Sequence, residues 1–77
     1  MNQLRAIRKR LNVTQAELGR GIGCTQPNIG HYETDRQILP PDRAKAVIDF
    51  SADRGLALTM GQVYGIEPLP EVRQEGA

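Results

Sequence analysis

Residues 14–33, TQAELGRGIGCTQPNIGHYE, decide the fold of this 77-residue chain. Thr14, followed three residues later by Glu17, makes a capping box, in which the two residues satisfy each other's free N–H groups at a helix start. Leu18 and Ile22 recur at helical spacing and give the inner face of that helix, 15–22. Gly23 ends it, because glycine enters the left-handed region at little cost. Thr25 caps a further helix, 26–34, with Pro27 in its first turn where a missing N–H does no harm. Ile29 and Tyr32 are its buried residues. Gly19 falls where the two helices cross, and a small residue there lets the backbones approach. Gln15, Thr25, Gln26, Asn28 and His31 are left on the outside. Gly21 and Gly30 belong to neither set. A helical glycine costs about 1 kcal/mol relative to Ala, so both are expected to soften the pair.

On the N-terminal side, Leu4, Ile7 and Leu11 mark an amphipathic helix over 2–11, with Asn12 as its left-handed end. On the C-terminal side a polar loop, Asp35-Arg36-Gln37, leads to Pro40-Pro41-Asp42. These residues open a fourth helix over 41–54. Its inner stripe reads Ala44, Val47, Ile48, Ser51 and Ala52, and Gly55 stops it. Thr59 caps a short fifth helix, 60–64, carrying Met60, Val63 and Tyr64. Leu56-Ala57-Leu58-Thr59 also reads as a short strand, but no second strand or hairpin turn follows, and the all-helical reading is preferred. Residues 1–66 thus form one all-α domain of five helices. Residues 67–77, rich in Pro, Gly and acids, read as a flexible tail.

Composition narrows the function. A chain of this length has room for one modest core. It has no apolar run near the roughly 20 residues of a membrane helix. The start, MNQLRAIRKRL, carries charges where a signal peptide needs apolar residues. One cysteine, Cys24, cannot form an internal disulfide, no metal-ligand spacing occurs, and no cofactor is expected. A reducing cytoplasmic setting is the expectation. Net charge is only +1, yet residues 1–43 hold seven Lys and Arg against four acids, and residues 44–77 hold three against five. The basic half is the half with the helix pair, as attraction to phosphates requires. Crossed helices with amides at the outer tip are a means of entering the major groove of DNA.

The pattern Thr14-Gln15-x-x-Leu18-Gly19-x-x-Ile22-Gly23-Cys24-Thr25-Gln26-x-x-Ile29-x-x-Tyr32-Glu33 closely resembles the helix-turn-helix of phage Cro and lambda-type repressors, the XRE class. The five-helix layout extends the likeness over residues 2–65. Cys24 stands where that family usually has Val, and Gly21 replaces a longer side chain. The resemblance implies a lambda-repressor-like domain, a double-stranded DNA operator as partner and a weak homodimer in a bacterial cytoplasm, at the nucleoid. It implies that Gln15 docks the second helix on a phosphate and that Gln26 reads a base, since a glutamine amide matches adenine N6 and N7. It also implies that Arg8, paired with Glu33, is oriented toward a phosphate.

Asn28, His31 and Thr25 join the expected base contacts. Arg36 and then Arg10 join the expected phosphate contacts, ahead of Arg5 and Lys9. Leu56, Leu58, Met60 and Val63 are the expected dimer patch, unless they close the monomer's core. The competing reading is an antitoxin-type or partner-binding regulator on the same fold. An enzyme is not expected. The chain shows no paired carboxylates, Ser-His-Asp set or Gly-rich phosphate loop, and its only histidine has no acid or thiol at ligand spacing.

Overall fold

The computed structural model describes residues 2–70. They form α1 (Leu4–Leu11), α2 (Gln15–Ile22), α3 (Gln26–Glu33), α4 (Pro41–Asp53) and α5 (Met60–Tyr64), with no strand among the described residues. Residues 56–59 link α4 to α5 without pairing. The all-helical, lambda-repressor-like layout is the one expected. The first helix starts at Leu4 rather than residue 2, because Asn2 is occupied otherwise. Its Oδ1 accepts from Leu4 N at 3.0 Å while its Nδ2 donates to the Tyr32 carbonyl at 2.7 Å.

Local chemistry sets the helix ends. Asn12 takes the left-handed conformation at φ 58° and Gly23 at φ 80°. Thr14 Oγ1 accepts from Glu17 N at 3.1 Å, and Glu17 Oε1 accepts from Thr14 N at 2.9 Å. Those bonds hold the Glu17 carboxyl below the usual carboxylate range. Thr25 Oγ1 accepts from Asn28 N at 3.3 Å, which caps α3. Thr59 and Gln62 form a second capping box, on α5.

The core gathers Leu4 and Ile7 from α1, Leu18 and Ile22 from α2, and Ile29 and Tyr32 from α3. Ala44, Val47 and Phe50 of α4 and Val63 of α5 complete it, with Leu39 and Leu58 from the linkers. Three expectations change here. Leu39, outside every expected helix, is 1% exposed and contributes about 1.5–3 kcal/mol by burial. On α4 the inner stripe includes Phe50, while Ala52 is exposed and Ile48 only half-buried. Leu58 and Val63 close the monomer's core and leave Met60, 40% exposed, as the open member of the supposed dimer patch.

The two unexplained glycines also separate. A Cβ on Gly21 would run into the Phe50 ring of α4, so this glycine is a packing residue. Phe50 is in turn covered by the Arg54 guanidinium, 3.8 Å from the ring centroid. A Cβ on Gly30 would meet only the Gln15 amide, at 3.7 Å. Residues 67–70, assigned to the tail, lie against the domain. The Glu67 carbonyl accepts from Gln3 Nε2 at 2.9 Å, and Leu69 is half-buried on the core. Residues 71–77 of the expected tail lie outside the described residues.

Candidate nucleic-acid interface

At 100° per residue, the side of α3 opposite Ile29 and Tyr32 is lined by Pro27, Gly30 and His31, with Thr34 continuing the row. Gln26 and Asn28 flank this row on opposite edges instead of sharing one line with His31. Gln26 is exposed, and Asn28 and His31 are half-buried. The Thr25 hydroxyl is engaged in capping, which leaves its methyl and remaining lone pair outward.

Four polar side chains from three helices join beneath the Gln26 edge. Arg8 Nε donates to Glu33 Oε2 at 2.7 Å and Arg8 Nη2 to Glu33 Oε1 at 3.3 Å, with the two side chains only 17% and 4% exposed. Arg8 Nη1 donates to the Val13 carbonyl at 3.2 Å. Glu33 Oε1 also accepts from Gln15 Nε2 at 3.1 Å. A buried ion pair is tolerable when further hydrogen bonds support it, and here Arg8 and Glu33 each make one more. Because a carboxylate only accepts, the Gln15 amide is oriented with its nitrogen toward Glu33. Its oxygen therefore faces Gln26 Nε2, at 3.5 Å. Gly30 provides the floor for this amide, since a side chain there would lie against it. The chain of contacts ends on Gln26, which is exposed and makes no other side-chain hydrogen bond among the described residues.

The expected phosphate ligands do not all share this side. Gln15 does, and Arg36 follows α3 in an exposed position with no ion-pair partner among the described residues. Arg8 has all three guanidinium nitrogens engaged within the protein, so it positions Glu33. Arg10 sits 200° around α1 from Arg8 and donates to the Pro70 carbonyl, on the flank away from α3.

Sequence reasoning missed two residues that hold the helix pair in place. Arg43 Nη1 donates to the carbonyls of Ile22 and Gly23 at 2.9 and 2.8 Å, clamping the end of α2 from α4. Cations near a helix C-terminus also suit its dipole. Asn2 fixes the end of α3 through the Tyr32 carbonyl. Neither has a local sequence signal, because each partner is remote in the chain. Cys24 is half-buried and burial pushes its thiol pKa up, as suits a packing residue. No cluster of metal-ligating side chains occurs among the described residues.

A cap-turn-cap helix pair with outward amides defines a helix-turn-helix DNA-binding domain. A family model described as Helix-turn-helix matches residues 4–50, more than half of the chain. The chain belongs to this family, in its XRE-type form, and is a DNA-binding transcription regulator by class. Comparison with curated proteins and with solved structures returned no match. Among the described residues no helix is long and apolar enough to cross a membrane.

Proposed function

We propose that this regulator is a sequence-specific repressor of phage or prophage type that acts in a bacterial cytoplasm. It lays α3 in the major groove and blocks a promoter by occupying its operator. The observation that carries this reading is the oriented Gln15–Gln26 pair. With one N–H directed to Gln15, Gln26 keeps the oxygen and N–H that a bidentate contact with adenine requires. Asn28, His31 and the Thr25 methyl lie near enough to address neighbouring base edges, and Gln15 and Arg36 face the flanking phosphates. One module covers too few base pairs to select a genomic site. A weak homodimer on a palindromic operator, with half-sites about 34 Å apart, supplies the remainder.

Selection of bound duplexes from a random library tests specificity and symmetry together. A palindromic consensus is the expected result, and recovery of no consensus would overturn the proposal. Gln26→Ala should then weaken the selected duplex by about 1–3 kcal/mol while leaving random DNA nearly unchanged. Arg36→Ala should weaken both duplexes and lower the salt slope by about one.

A further inference from the structure

We propose that a groove between the start of α1 and the end of α3 seats a DNA phosphodiester, held by Arg5 and Lys9. The inference rests on the DNA-binding reading above and adds a contact that the residues named there do not supply. The groove is open and of about 900 Å³, with Arg5 and Lys9 on one wall, Glu33 and Thr34 on the other and Asn2 at one end.

Position is the first argument. Thr34 lies seven residues, almost two full turns, beyond Pro27, so it ends the row that α3 turns outward. The groove therefore opens off the end of the surface offered to DNA, one helix length from Gln26.

Charge is the second. Arg5 and Lys9 stand one turn apart on α1, so their Cβ atoms are about 5–6 Å apart and both cations can reach one phosphate. Both are exposed, and neither has an ion-pair partner among the described residues. The acid in the opposite wall does not cancel them. The Glu33 side chain is 4% exposed and neutralised by Arg8 at 2.7 Å. The amides of Asn2 and Gln3 are already committed to the Tyr32, Gln62 and Glu67 carbonyls. Among the charged side chains that line the groove, the two cations are thus the unpaired ones, which favours an anion. One opposing charge stands at the rim, Asp35, whose Oδ1 is 3.5 Å from Asn2 Nδ2.

That acid provides a test in the opposite direction from the usual loss of function. Asp35 has φ 61°, a left-handed conformation that Asn adopts readily, so Asp35→Asn removes the charge and keeps the backbone. Binding of a fluorescent random duplex should be measured by anisotropy over a salt series. Arg5→Gln with Lys9→Gln should flatten the plot of log K against log salt by about two and weaken selected and random duplexes alike. Asp35→Asn should tighten both several-fold at low salt, and Lys45→Gln on the far side of α4 should change neither. An unchanged slope in the folded double variant overturns the groove assignment. Should the double variant not fold, unchanged affinity in Asp35→Asn overturns it instead. In either case a persisting loss in Arg36→Ala leaves the DNA-binding reading standing. Wild-type chain that binds no duplex at any salt overturns both.

Discussion

Within α2, a Cβ added to Gly19 would lie 2.6 Å from the Cys24 carbonyl oxygen, and one added to Gly21, 200° around the helix, would enter the Phe50 ring of α4. On the front of α3, a Cβ added to Gly30 would lie 3.7 Å from the Gln15 amide, an ordinary contact. All three glycines cost helix propensity equally, yet two of them are demanded by packing and the third is optional. α2 is held rigidly from both sides because backbone and ring leave no room. The front holds its shape through hydrogen bonds among side chains, which a methyl group does not break. Stability thus rests on close packing around α2, and recognition on a side-chain network that tolerates a methyl group.

Substitution by alanine at each glycine should separate the packed positions from the optional one. Gly19→Ala should have the largest effect, a loss of about 3 kcal/mol in denaturant melts, because the opposing atom is backbone and cannot turn aside. Near-wild-type stability would show that the helix crossing is not the constraint described. Gly21→Ala should lose less, about 1–2 kcal/mol, since a ring can rotate, though only by leaving its stack with Arg54. A companion Phe50→Leu change that recovers part of the loss would tie the effect to that ring. Gly30→Ala should gain about 0.5–1 kcal/mol through helix propensity and keep DNA affinity within a factor of two. Lost affinity with gained stability would mean that Gln15 needs the bare backbone beneath it.

What the sequence revealed follows from how far each determinant reaches. Thr14 with Glu17, Asn12, Gly23 and Thr25 act within four residues of themselves, and each stands where its local chemistry puts it. The pairing of Arg8 with Glu33 was available only through the family likeness, since 25 residues separate them. The rest depends on where elements settle after packing. Nothing near Gly21 announces Phe50, and nothing near Leu39 announces that the Tyr64 hydroxyl will donate to its carbonyl at 2.7 Å. Arg10 illustrates the same limit, for its charge could be read but not the flank it occupies. The groove at Arg5 and Lys9 exists only because the end of α3 comes to rest beside α1.

The grip of Arg43 on the carbonyls of Ile22 and Gly23 bears on how the domain comes apart. Those carbonyls lie at the end of α2, where the helix has no further N–H to offer, and their donor belongs to α4. Release of α4 therefore strips the turn, and opening of the turn strips α4. The twenty residues of the motif are not a separable unit. Amide protons in the turn, such as that of Cys24 bound to the Gly19 carbonyl at 2.8 Å, should exchange with solvent at the same slow rate as those within α4. A surface turn of three residues thereby shares the lifetime of the hydrophobic core.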